Sequence, residues 1–394
     1  MEVWLLELVK GAGRLLIQPL FYFAFIFLFI LSHLRVKKER SGFGTRIFNP
    51  FSEWKGTWGT AGMAGLFISA VMVGTGVEIP FPFLLLLFCV TLLVSLPLKL
   101  TYFSAVYTLG ISFLLLFAIP YLPDQLQQTT WINALSNVSL VGVALLLSLL
   151  LMTEGIGLFR TKAGDSYPER KKGSRGKWVG QHRVRKLMVV PVLALFPAGL
   201  IDSFAPWWPL LSINDSEFGL VVIPFLTGWE WIAKGQLPVT AAKRLGKQTL
   251  VLSLPVLILA ISSFFVPALS LASVALALLG RESLYIFYRL RDDHHPFFST
   301  PSRGLRVLGV IPGSPGEKMG VKAGEVVIRV NALPVHSESQ YYEALQKNGA
   351  FSKLEVIDQQ GENRYVQRAI YQGEHHELGI VFVDAADEER YQSY

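Results

Sequence analysis

Charge is what this sequence has least of. Only 16% of its 394 residues are Asp, Glu, Lys or Arg, while 52% are hydrophobic. A soluble domain carries about 25% charged residues, so the deficit excludes an ordinary water-soluble enzyme. Cysteine is nearly missing too: Cys89 stands alone in an apolar run, which leaves no disulfide framework and no Cys-based zinc site. Catalytic signatures are absent as well. His376-Glu377 lacks the second His of the zinc-protease pattern H-E-x-x-H, and no G-x-S-x-G elbow occurs. Gly173-Ser174-Arg175-Gly176-Lys177 and Gly246-Lys247-Gln248-Thr249 both fail the phosphate-loop spacing. No enzymatic activity, cofactor or metal site is expected.

What is present is apolar and aromatic, with 27 Phe and nine Trp. A bilayer core of about 30 Å needs roughly 20 apolar residues as helix. Runs of that kind cover residues 15–34, 60–77, 79–97, 100–121, 132–152, 187–207, 218–233, 249–266 and 268–286. Eight or nine spans are predicted, the first a retained helix and not a signal peptide, since no small-residue cleavage site follows it. The second run is Gly-rich, the seventh is short and holds Glu230, and the ninth holds Arg281 and Glu282.

The links between runs alternate in charge. Segments 35–55, 160–186 and 234–247 carry six, ten and four basic residues, Lys99 marks a further basic turn, and the intervening links have none. The positive-inside rule then puts the basic segments in the cytoplasm, leaving Lys10 and Arg14 on the wrong side if there are nine spans. The stretch 161–181 is Gly-, Ser- and Lys/Arg-rich and is expected to be flexible. Its basic residues serve as a topology signal or grip anionic lipid headgroups; nucleic acid is not expected, because aromatics barely interleave them. Ionisable residues in the apolar runs are suspects for function. His33, Glu78, Lys99, Glu154, Asp202 and Glu230 lie near predicted helix ends, with Glu230 in an interfacial belt between Trp229 and Trp231. Arg281 and the adjacent Glu282 are expected to neutralise each other.

Residues 1–291 hold 26 basic and 14 acidic side chains, whereas residues 292–394 hold 10 and 15. Two modules therefore meet near residue 292: a helical membrane domain (1–291), and a domain over 292–386 followed by a charged tail, 387–394. In the second module, Leu305, Val307 and Val310 begin a strand, Pro312-Gly313-Ser314-Pro315-Gly316 breaks it, and residues 325–330 form another. Ser337 and Gln340 start a helix whose inward face holds Tyr341, Ala344 and Leu345, stopping at Asn348-Gly349. Further strands follow at 354–358, 365–371 and 378–383.

The stretch Val307 to Asn331, with its Pro-Gly-Ser-Pro turn and Ala323-Gly324-Glu325, resembles the PDZ domain in its circularly permuted bacterial form. Glu325 replaces the usual Asp, and Ala332 stands where Gly usually follows the Asn, so that turn must change conformation or accept strain. The resemblance implies an α+β domain that binds an extended peptide as an added strand and holds its terminal carboxylate on backbone N–H groups. Leu378-Gly379-Ile380 matches the hydrophobic-Gly-hydrophobic carboxylate loop, although the triplet is also ordinary sheet sequence. Tyr341 and Leu345 either contact the peptide or pack the core. Replacing Gly379 with Val is expected to weaken peptide binding and leave the domain folded. His375 and His376 read as exposed turn residues.

The whole plan, apolar runs with basic links and then one PDZ domain, resembles the MinJ family of Gram-positive bacteria over essentially its full length. That resemblance implies a multi-pass cell-membrane adaptor for division-site selection, concentrated at septa and poles, with a cytoplasmic PDZ domain. It would link the scaffold DivIVA, and further division proteins, to MinD and so place the MinC inhibitor. A PDZ-bearing membrane protease, or a transporter with an added module, are the alternatives.

Overall fold

A computed structural model describes residues 2–172, 178–203, 205–211, 217–292, 296–347, 351–369 and 378–383. The N-terminal part contains α1 (Glu2–Leu15), α2 (Pro19–Phe43), α3 (Trp58–Thr75), α4 (Phe81–Ser95), α5 (Ala105–Ala118), short α6 (Asp124–Gln127) and α7 (Thr130–Ser136), and α8 (Leu140–Phe159). Three strands follow, β1 (Ser166–Lys172), β2 (Trp178–Ile201) and β3 (Phe218–Ala233), then α9 (Pro238–Ser262) and α10 (Leu269–Asp292). Among the described residues, five helices are long and apolar enough to cross a membrane: α2, α3, α8, α9 and α10. α4 and α5 are apolar but have only 15 and 14 residues. The expected eight or nine spans are therefore too many.

The main reason is that the sixth and seventh apolar runs are strands. β2 and β3 pair antiparallel from His182↔Ala233 to Pro197↔Phe218. Val189, Val190, Val192, Val221, Val222 and Ile223 suit a pleated surface, and Pro191, Pro197 and Pro224 would each break a helix. Pro191 and Pro224 face each other in register. Hydropathy and length alone cannot make this distinction.

A two-stranded ribbon among apolar helices presents unpaired main-chain groups along both edges, which an apolar solvent does not tolerate. Neighbouring helices and loops satisfy much of each edge. Along β2, Leu193 N–H donates to Ser69 Oγ at 2.8 Å, Ile79 N–H donates to Leu195 O at 2.8 Å and Leu187 N–H to Glu53 O at 3.0 Å. Along β3, Arg14 donates to Leu220 O, Gln18 to Val222 O and Tyr288 to Ile232 O. Gly65 lets α3 lie against the ribbon, since a Cβ there would overlap Pro191 O.

α8 is apolar all round and almost wholly buried, the pattern of a central helix. The outer helices expose Phe25, Phe29, Phe67, Leu254, Ile258 and Phe287, more contiguous apolar surface than water permits. Inside, Arg281 pairs with Glu154 at 2.8 Å, both fully buried, and stacks over Trp231. The expected neutralisation by Glu282 does not occur, because adjacent helical residues point about 100° apart; Glu282 accepts instead from Tyr107. Glu230 is no belt residue. It is buried, paired with Arg183 and Arg185, and accepts the Leu100 N–H. Lys10 and Arg14 pair with buried Glu7.

The stretch expected to be flexible is largely a hairpin: β1 pairs with the start of β2 from Ser166↔Val184 to Lys172↔Trp178. Within it, buried Glu169 is held by Lys38 of α2 and Arg183 of β2. Residues 173–177 lie outside the described residues, as do Asn348-Gly349, His375, His376 and 387–394.

The C-terminal part comprises β4 (Phe298–Ser299), β5 (Leu305–Val310), α11 (Pro315–Lys318), β6 (Val326–Val330), β7 (Leu333–Pro334), α12 (Glu338–Gln346), β8 (Phe351–Ile357), β9 (Asn363–Ala369) and β10 (Ile380–Phe382). The sheet order is β10-β5-β6-β8-β9, with β7 on β6. Ser337 caps α12 by accepting the Gln340 N–H at 3.2 Å. Ala332 accepts the strain anticipated for it: Asn331 and Ala332 have φ of 47° and 68°, the left-handed pair of a tight hairpin turn.

Candidate functional site

β10 is an edge strand. Ile311 N–H donates to Gly379 O at 2.8 Å, and Val383 N–H donates to Arg306 O at 3.1 Å. Odd-numbered residues thus turn their main chain toward β5, and alternation turns Ile380 and Phe382 outward. α12 flanks that outer side, with the Tyr341 and Phe382 rings 4.8 Å apart. The strip between the outer edge of β10 and α12 is therefore the candidate groove for strand addition.

At one end of the groove stands Leu378-Gly379-Ile380. Leu378 O accepts from Gly316 N–H at 2.8 Å, which ties the loop to α11. Among the described residues the Gly379 N–H has no acceptor, and strand alternation turns the Ile380 N–H away from β5. Positive φ of 55° at Leu378 and 69° at Gly379 makes this a tight turn of the kind that can present main-chain N–H groups to a carboxylate.

The structure redistributes the side-chain roles. Leu378, Tyr341, Leu345 and Ile380 are buried together in the domain core, so their side chains build the groove from beneath. The half-buried residues on the groove face of α12 are Glu338 and Tyr342, joined by a 3.2 Å hydrogen bond. They were missed because the inward apolar stripe dominates the helix pattern. Gly379 is also more constrained than expected. A Cβ there would overlap the Ser314 side chain, so Val at this position strains the fold as well as the loop.

The other end of the groove is closed by a residue from the N-terminal part. Arg170, on β1, donates to the outward Phe382 O at 3.0 Å and lies 3.6 Å from Glu338. It also stacks on Phe43 and reaches Gly42 O. Arg170 thus bridges β10 and α12 and occupies an acceptor that an added strand would use.

This contact belongs to a broad junction. β2 pairs with β4 at Val179↔Ser299 and Gly180↔Phe298, and Gly180 leaves room for Leu308 and Phe298. His182 is buried between Ser166 Oγ, 3.0 Å from Nδ1, and Leu308 O, 2.6 Å from Nε2. Burial pushes this imidazole down to about 4, against the hydrogen bond to Leu308 O. It is neutral at pH 7, with Nε2–H donating to Leu308 O. Burial would raise Glu169, but hydrogen bonds and charge from Arg183 and Lys38 outweigh it and hold the carboxylate at about 2.

Residues 306–358 match the PDZ domain family. Over 98% of its length, and 98% of the relative's, the chain is 36% identical to the cell division topological determinant MinJ of Bacillus subtilis. The chain belongs to the MinJ family. A probable MinJ from Lacticaseibacillus paracasei is 26% identical over 61% of this chain and 65% of its own length. A putative serine protease HhoA from Synechocystis is 26% identical over only 19% of each chain, too short a stretch to carry a catalytic domain across. A PDZ domain joined to several apolar helices able to span a membrane is thus the architecture of this MinJ family member.

Proposed function

We propose that this chain is a cell-membrane adaptor for division-site selection and acts by placing partners, without catalysis of its own. Its PDZ domain, on the cytoplasmic side with the basic segments, takes the C-terminus of a partner between β10 and α12. The carboxylate loop follows the other domain strands in sequence, as circular permutation of the bacterial PDZ form requires. In the finer reading, the adaptor links a DivIVA-like scaffold to MinD at septa and poles. The observation that carries the proposal is the full-length similarity to a division topological determinant; the Leu378-Gly379 turn and the outward edge of β10 support the groove's part in it.

The experiment is loss of the gene in the parent bacterium. Septa should be misplaced, giving filaments and small anucleate cells, with rescue by the intact chain but not by residues 1–291 alone. Normal septation, together with a membrane protein that persists uncleaved, would overturn the adaptor reading in favour of a protease.

A further inference from the structure

A cavity of about 380 Å³ opens where β1, β2 and β3 meet the C-terminal turn of α10 and the turn at Lys99. Seven basic side chains and three carboxylates line it. The carboxylates are already engaged. Glu169 and Glu230 share Arg183, and Asp292 accepts the Lys234 and Gly235 N–H groups at 2.7 and 3.1 Å. Lys99, Lys171 and Arg289 are different: all three are exposed, and none makes an ion pair among the described residues. Three unneutralised cations converging on one cavity from three elements repel one another. An anion in the cavity would relieve that repulsion.

The surroundings say which anion. Beside Lys99 lie the exposed Leu96, Leu98 and Tyr102; beside Arg289 lie the exposed Ile286 and Leu290. These apolar flanks form the exposed surface of the turn that follows α4 and of the C-terminal part of α10, and Trp231, Tyr285 and Tyr288 wall the cavity itself. Aromatic walls, a basic rim and an apolar flank mark the level where lipid headgroups sit. We infer that this cavity binds the phosphate headgroup of one anionic phospholipid, its acyl chains lying along the apolar flanks. The expected contact of basic segments with lipid thereby becomes a defined site, and two of its three free cations, Lys99 and Arg289, lie outside those segments. The inference rests on the membrane setting of the helices and is independent of what the groove binds.

The test uses the full chain purified in a neutral detergent, with retained lipid counted by native mass spectrometry. Phosphatidylglycerol should be retained and phosphatidylethanolamine not. In the variant Lys99→Gln/Lys171→Gln/Arg289→Gln, binding should weaken about 10- to 100-fold, since each basic residue near a headgroup contributes roughly a factor of five. The control Lys243→Gln/Arg244→Gln/Lys247→Gln removes equal charge elsewhere and should bind as the parent does. Because all six residues are exposed, unfolding temperatures should match across the set. Equal losses in both variants, or equal retention of the two lipids, would overturn the site as diffuse surface attraction. Displacement of the lipid by equimolar inorganic phosphate would reassign it to a free phosphate.

Discussion

Arg170 and Gly379 hold opposite ends of one groove, and each leads to a prediction. Removing the Arg170 guanidinium frees Phe382 O, so a C-terminal peptide should bind full-length Arg170→Ala more tightly than the parent. A charge-assisted hydrogen bond is worth about 1.5–3 kcal/mol, which sets a gain of roughly tenfold or more. Titration with a library-selected peptide, free and amidated at its C-terminus, would show it; an unchanged or weaker affinity would mean that Arg170 does not compete. Gly379→Val should instead lower the unfolding stability of the PDZ domain by about 1–3 kcal/mol through backbone strain and overlap with Ser314. A variant as stable as the parent in denaturant unfolding would contradict the geometry. At the junction, His182 titrates lower when buried than when released, where its value is near 6.5. The released form therefore binds more protons in between. The junction is at full strength above about 6.5 and weakens as pH falls toward 4, by on the order of 3 kcal/mol. Intrinsically corrected amide exchange in β4 and β5 should accelerate over that window in the parent and stay flat in His182→Gln.

Among the elements, legibility followed the kind of force at work. β5, β6 and α12 could be read directly, because local chemistry sets them: alternation, a proline-glycine break, and Ser337 capping its helix. The β2–β3 ribbon could not be read by hydropathy. An apolar run of 16 to 24 residues satisfies the bilayer whether it is a helix or a paired strand, and only β-branching with mid-run prolines favours the strand. The partners that make the ribbon tolerable, Arg14, Gln18, Ser69 and Tyr288, are scattered along the chain. Arg170 at the groove and Glu154 opposite Arg281 were illegible for the same reason: each meets its partner more than 120 residues away. The ribbon gives its own prediction. Gly65→Leu would drive a side chain into Pro191 O and separate α3 from β2, with an expected loss of about 1–3 kcal/mol or more. Thermal unfolding in detergent, compared with the control Gly62→Leu, whose Cβ would meet nothing within 4 Å, measures it; equal behaviour would place α3 away from the ribbon.

For the whole molecule, two strands replaced two expected spans, and the ribbon runs out and back as a helix pair would. Residues His182 and Ala233 therefore lie side by side, and the basic segments 160–186 and 234–247 meet at one end of the ribbon. The contacts agree with it. Lys38 meets Glu169, Arg185 reaches Leu98 O, Lys234 N–H meets Asp292, and β2 pairs with β4. The basic segments and the PDZ domain therefore share one end of the molecule. That end carries the groove, the Arg170 bridge and the basic cavity, which suits a platform where membrane and partner are read together. The central claim is that this platform acts at the division site. A fluorescent fusion of the full chain, imaged in dividing cells of the parent bacterium, tests it most directly. The account predicts a band at midcell that persists at the new poles, whereas even fluorescence around the whole envelope would contradict it.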